Sequence, residues 1–411
     1  MMDDPDKQMQ RFAATSLKGS GGAPAGGDDS AAQAVAGPRP EGAAWPMKSA
    51  KARLTWIDAA KGLSMVLVVL LHSAAWYVDG QRFGDSIWLD FSRAVEPLRI
   101  PLFFVVSGTL IARRIEGDRP KVLRRAASLF SVYVLWSVIH ASRLVLFPAL
   151  APQTPFSPEL IFWTIISPGI YWYIWALPIY YVVTVLVYGR RISEHRASAG
   201  VYATFVLAAL CSFFWAEISA LWSDGLALDS RVEYDFSGSA VRNYFWFLLG
   251  VMVSKTIIAQ SKLIPCSGVR PLAIGIGLIV AGMLVARIGV HAKFSLAPFL
   301  MVPGAIILLC RIGESFVATV LVKIGAQTLP VYIFHFFILN ALSFLVGKFV
   351  APGLLPVWLS VTIPPLMTLV IVPSTMAAEN VLRRLRLDIV LDGIPDGLSK
   401  YRRSANVSQA A

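Results

Sequence analysis

Apolar residues in this chain gather in runs of roughly twenty, the length that crosses the hydrocarbon core of a bilayer as a helix. Between the runs, basic clusters alternate with loops that are acidic or free of Lys and Arg. The first run, Asp58 to Tyr77, follows Lys48, Lys51 and Arg53, and the loop beyond it holds Asp79, Asp85, Asp90 and Glu96. Positive charge marks the cytoplasmic end, so helix one starts inside and ends outside. Helix two enters through Pro97 and Pro101, residues suited to a first turn whose amides have no partners to lose. It ends in the basic segment Arg113, Arg114, Arg119, Lys121, Arg124 and Arg125, the strongest cytoplasmic signal in the chain.

The same reading places helix three at about Ala127 to Phe147, with His140, and puts the Lys- and Arg-free loop Pro148 to Pro168 outside. Helix four starts at Tyr171-Trp172-Tyr173-Ile174-Trp175 and ends at Arg190 and Arg191. These rings read first as an interfacial aromatic belt and second as a sugar-stacking platform that includes Trp172. Helix five, about Val201 to Ala216, leads to an acidic outer loop, and helix six enters through Arg242-Asn243-Tyr244. Helices seven and eight, about Pro271 to Ile288 and Leu296 to Leu309, flank Arg287, His291 and Lys293, against the charge rule. Helix nine, about Thr328 to Val350, holds Tyr332 and His335, and helix ten, about Leu355 to Ala377, is read as broken by Pro364-Pro365 and Pro373.

The expected fold class is therefore all-α, a polytopic membrane bundle of about ten spans with both termini cytoplasmic. Residues 1–52, rich in Gly, Ala, Pro and Asp and lacking periodicity, read as a disordered cytoplasmic tail. Residues 53–386 form the membrane domain and 387–411 a cytoplasmic C-terminal tail. No cleavable signal precedes span one, which reads as an uncleaved anchor. Composition agrees, since 56% of the 411 residues are hydrophobic and 15% charged, outside the range of soluble domains. The formal charge of +12 does not indicate nucleic acid, because the basic residues alternate with spans and form no single patch. Cys211, Cys266 and Cys310 show neither disulfide nor zinc spacing, and no metal site is expected.

Chemistry enters with the ionisable residues inside the runs, which cost about 2.5–3.5 kcal/mol each to insert. Lys61 and His72 lie eleven positions apart, close to three turns, so they share a helix face with Ser64 and sit roughly 16 Å apart along the axis. His72, Arg99 and Arg242 fall at an outer level, whereas Lys61 and the segment Arg113 to Arg125 fall at the cytoplasmic one. That inner cluster suits either the phosphates of an anionic cytosolic molecule or simple orientation against anionic lipid. A histidine near a basic group suits acid–base work. His140 reads as a packing histidine. No Gly-rich phosphate loop, Gly-x-Ser-x-Gly elbow or His-Glu-x-x-His motif is present.

At these residues the chain resembles the acyltransferase-3 family of multispanning membrane O-acyltransferases. The matching segments are Trp56-Ile-Asp-Ala-Ala-Lys-Gly-Leu running on to His72, Pro97-Leu-Arg-Ile-Pro-Leu-Phe-Phe-Val-Val-Ser-Gly108, and Lys121-Val-Leu-Arg-Arg before Tyr133. Tyr171-Trp-Tyr, Arg242-Asn-Tyr-Phe-Trp-Phe-Leu-Leu-Gly250 and Ile324-Gly-Ala-Gln-Thr-Leu-Pro-Val-Tyr-Ile-Phe-His335 complete the set. Two positions depart from the family pattern. Lys61 stands where many members carry arginine, and Ser128 takes the second place of the paired-arginine motif if Arg125 is its first.

The resemblance implies transfer of an acyl group, most often acetyl, from a cytosolic thioester such as acetyl-CoA to a hydroxyl on a surface glycan or lipid. It implies a bacterial inner membrane location and no bound cofactor. His72 would act as general base or acyl carrier, Arg99 would stabilise developing charge or orient the acceptor, and Lys61 would hold the donor or pair with Asp58. His335 is a further catalytic candidate. Lys121, Arg124 and Arg125 are the donor-binding candidates, and Trp172 and Arg242 the acceptor-binding ones. A transporter of a small anionic metabolite and a non-catalytic scaffold are the alternatives from other classes.

Overall fold

The structure is a computed structural model that describes residues 54–81, 86–115, 117–146, 169–188, 199–215, 217–218, 236–264, 268–288, 296–313, 315–349 and 359–394. The expected N-terminal tail, and the loops read as lying outside at 148–168 and 224–235, fall beyond the described residues. Every extended element among the described residues is a helix. In chain order they are α1 (Thr55–Gln81), α2 (Ile87–Ala94), α3 (Glu96–Ile115), α4 (Arg119–Leu146) and α5 (Trp172–Tyr188). Next come α6 (Ala199–Phe213), α7 (Phe236–Met252), α8 (Ser254–Ser261), α9 (Val269–Ile288) and α10 (Ala297–Ile312). The chain closes with α11 (Phe316–Ala326), α12 (Thr328–Phe349), α13 (Leu359–Arg384) and α14 (Ile389–Asp392).

Among the described residues, five helices are long and apolar enough to cross a membrane, or up to eight if each bent pair is one span. The figure of about ten rested on counting every apolar run alike, including α6, which is shorter. Two of the bent pairs turn at single residues. Ser86 caps α2, its hydroxyl accepting from the Trp88 amide at 3.3 Å, and α3 leaves at 47° after Val95. At Val253 the chain turns 62° from α7 into α8.

The first helix is the axis of the bundle, with 67% of its apolar stretch buried against 17% for α9. It packs on α3, α11, α12 and α13, while α3 packs on α7. Two close crossings explain glycines in the matching segments. A Cβ on Gly62 would strike the Leu321 carbonyl of α11, and one on Gly325 would strike the Asp58 carbonyl of α1. Likewise, Gly108 of α3 lies against the Phe247 carbonyl of α7, and Gly250 against the Val105 carbonyl. Between helices in lipid, such backbone approach supplies the packing that hydrophobicity cannot.

One expectation is corrected here. Pro364, Pro365 and Pro373 do not break helix ten, because α13 runs continuously through them. Pro365 has no amide to offer the Val361 carbonyl, and the Trp88 indole donates to that oxygen instead at 2.7 Å. The Thr368 hydroxyl donates in addition to the Pro364 carbonyl at 2.9 Å. Order also continues past Arg386. The Trp136 indole of α4 donates to the Val390 carbonyl at 3.0 Å, and Arg383 binds Glu379 at 2.7 Å and Asp388 at 2.9 Å.

Candidate functional site

Two cavities lie along α1. The first, of about 410 Å³, is lined by Lys61 of α1, Ser107 and Arg114 of α3, and Arg125 of α4, among others. The second, of about 260 Å³, is lined by Ser64 and His72 of α1, Glu96 and Arg99 of α3, Trp172 of α5, and Arg242 and Asn243 of α7. Met65, Phe103, Tyr173 and Tyr332 line both, so the cavities abut at these four side chains. Lys61 and His72 thus belong to different chambers, one on each side of Met65.

The boundary is held by a small hydrogen-bond set. Tyr332 donates to the Ile170 carbonyl at 2.7 Å and accepts from the Tyr173 amide at 3.2 Å. The Tyr173 and Ser107 hydroxyls lie 3.3 Å apart. The aromatic cluster read first as an interfacial belt is therefore turned inward. Tyr171 is only 2% exposed, Tyr173 faces both chambers and Trp172 faces the His72 chamber. Its placement follows from the short 3₁₀ turn Gly169–Tyr171, which leads directly into α5.

His72 lines the second cavity, and His335, which does not line it, packs against the His72 ring from within the bundle. The His72 and His335 ring centroids are 5.4 Å apart, and each lies 4.5 Å from Phe336. His335 is 1% exposed; its Nδ1 sits 3.1 Å from the Val331 carbonyl, and its Nε2 makes no hydrogen bond among the described residues. A carbonyl accepts, so Nδ1 is the protonated nitrogen and Nε2 keeps the lone pair. Arg99 is 5% exposed yet loosely held, with Nη1 3.5 Å from the Ser92 carbonyl and Nη2 4.0 Å from Glu96 Oε1. Distances at these limits mark weak bonds, and a buried guanidinium with weak partners is suited to meet an anion. Arg242 donates to the Gly238 carbonyl at 3.3 Å and to the Ser239 hydroxyl at 3.4 Å.

The cations of the other chamber are arranged differently. Lys61 Nζ lies 2.7 Å from Asp58 Oδ1, one of the two roles expected of it. Arg125 is half-buried and lines the chamber, and Arg114, expected only as part of the basic segment, lines it too. Lys121 and Arg124 do not line it. The Lys121 side chain is 79% exposed and paired with Asp118, and its hydrogen bonds hold the Asp118 carboxyl below its ordinary value. His140 packs edge-on against Tyr171 at 5.9 Å and lines neither chamber.

Some positions that line the chambers escaped the sequence reading. Glu96 appeared there only as an acid of an outer loop, whereas it faces Arg99 in the His72 cavity. Phe103 and Met65 have no polar group to draw notice. Tyr332 stood in a matching segment three residues before His335, which was the available signal. Groups of His, Cys, Asp or Glu fit to hold a metal ion are absent among the described residues.

The described residues thus form a helical membrane protein with two abutting chambers beside α1, one bordered by Lys61, Arg114 and Arg125 and the other by His72 and a buried Arg99. The family model described as "Acyltransferase domain" matches residues 54–379, and the chain belongs to that family, acyltransferase-3. A curated relative, the inner membrane protein YcfT of Escherichia coli (strain K12), is 26% identical over 269 residues, covering 58% of this chain and 69% of that protein. No solved structure matches.

Proposed function

We propose that this membrane protein transfers an acyl group, in the first instance acetyl, from a cytosolic thioester to a hydroxyl of a glycan or lipid on the opposite side of the membrane. The observation that carries the reading is the pair of chambers meeting at Met65, Phe103, Tyr173 and Tyr332. The donor, acetyl-CoA or another acyl-CoA, is a co-substrate whose phosphates pair with Arg114 and Arg125 near Lys61, and its acyl end reaches the boundary. The acceptor enters the His72 chamber, where Trp172 offers a stacking face and Arg242 a charge.

His72 takes the hydroxyl proton as the oxygen attacks the thioester carbonyl carbon. Arg99 stabilises the negative charge that develops on the carbonyl oxygen. The carbon–sulfur bond then breaks, and the imidazolium returns its proton to the leaving thiolate, so the histidine ends as it began. The relative's name supports placement in the bacterial inner membrane, and the charge pattern supports cytoplasmic termini.

Mass spectrometry of envelope glycans and lipids from a deletion strain tests this reading. One class of molecule loses an acyl mass, and the mass returns with the wild-type chain but not with His72→Gln. An unchanged acyl profile, or full restoration by His72→Gln, would remove the acyl-transfer assignment. Loss of a metabolite flux in its place would favour the transporter class.

A further inference from the structure

A third recess of about 300 Å³ lies between α5, α6 and α7, lined by Ile179, Leu207, Ala208, Cys211 and Val241 among others. Its flanks are exposed on the bundle: Leu207 is 61%, Val241 41% and Ile179 38% accessible. In a membrane protein that exposure is to lipid. Three hydroxyls border the recess, and each is already engaged within the protein. Tyr180 donates to the Ala240 carbonyl, Thr204 to the Gly200 carbonyl at 2.8 Å, and the Tyr244 hydroxyl lies 3.2 Å from that of Thr184. These bonds leave a lining suited to hydrocarbon.

The recess and the His72 cavity share two helices. On α5, Trp172 and Tyr173 line the cavity and Trp175 and Ala176 the recess; on α7, Arg242 and Asn243 line the cavity and Ala240 and Val241 the recess. From Tyr173 to Ala176 is under one turn, roughly 4.5 Å of helical rise. The recess and the cavity are therefore neighbours along both helices. The recess alone gives little selectivity, because a tail leaving the bilayer for an apolar groove gains no hydrophobic energy. Selection has to come from the head, and among the described residues the cavity presents Arg99, Arg242 and Glu96, with the buried Arg99 Nε left without a hydrogen bond.

We propose that the recess holds the hydrocarbon tail of an anionic membrane lipid whose headgroup reaches Arg242, so that the acceptor hydroxyl arrives on a lipid carrier. The proposal rests on the acyl-transfer reading for its word acceptor, but the lipid site itself does not.

The test uses the full chain in phosphatidylcholine vesicles, without thioester, and phosphatidic acid bearing a diazirine in its tail. Phosphatidylcholine with the same tail is the control. Phosphatidic acid labels peptides of α6 and α7 preferentially. Arg242→Gln lowers that labelling about tenfold, the weight of one charge-assisted contact. Ala208→Phe, which fills the recess, lowers it similarly; Leu207→Trp at the rim replaces it if that variant does not insert. Equal labelling by both probes, or labelling unchanged by Arg242→Gln and by the filled recess, would show ordinary boundary lipid and overturn the proposal. An intact lipid signal beside an unchanged acyl profile in the deletion strain would instead remove acyl transfer and leave the lipid site standing.

Discussion

The Lys61 and His72 chambers share four wall residues, yet they hold their cations in opposite ways. Around Lys61 the charges are accessible or already matched: Arg114 is exposed, Arg125 half-buried and Lys61 2.7 Å from Asp58. Around His72 the contrast lies in Arg99, which is 5% exposed and only loosely held, at 3.5 and 4.0 Å from its partners. Accessible charges act through screened contacts and so tune affinity. Buried, loosely partnered ones respond to charge that appears during reaction. The two chambers should thus be separable by kinetics, the first through donor KM and the second through turnover.

The largest effect falls on His72. His72→Gln keeps a hydrogen-bonding side chain that cannot take a proton at neutral pH, and it should lower turnover by about 10²–10⁴-fold with donor KM little changed. A KM effect of that size with turnover intact would merge the two chambers into one binding site. Next comes Arg125→Ala, which should raise donor KM by about tenfold with turnover near the parent's. Rising salt should weaken donor binding in the parent more than in this variant. The smallest effect belongs to Lys121→Ala. Its side chain turns to Asp118 and lines neither chamber, so donor KM should stay within about twofold, as for surface changes generally. If Lys121→Ala matched Arg125→Ala, the cluster would act as a diffuse field and the contrast would fail.

Much of this was legible in the chain, for physical reasons. A span is a local property, so α1 and α9 appear at nearly the places the apolar runs predict. Lys61 and His72 stand out because charge in an apolar run is costly. The approach of His72 to His335 was not legible, since it depends on how α12 meets α1 across more than two hundred residues of sequence. The inward turn of Tyr171 to Tyr173 was hidden for a related reason. Rings at a span's end look alike whether they face lipid or a neighbouring helix. The rescue of Pro365 by Trp88 needs a partner on another helix, so the prolines read as breaks inside a span that the fold keeps continuous. α11 was missed because it is only an eleven-residue helix, too short to register as a span.

The division of labour between the chambers is tested most directly in sealed membrane vesicles of the two orientations. Acetyl-CoA labelled in its acetyl group is added outside, and label is counted in the membrane's own glycans and lipids. If the Lys61 chamber receives donor from the cytoplasmic side, inverted vesicles incorporate label while right-side-out vesicles do not. No intact donor should be recovered from the vesicle lumen. Equal incorporation by both orientations, or donor accumulating inside, would contradict the account.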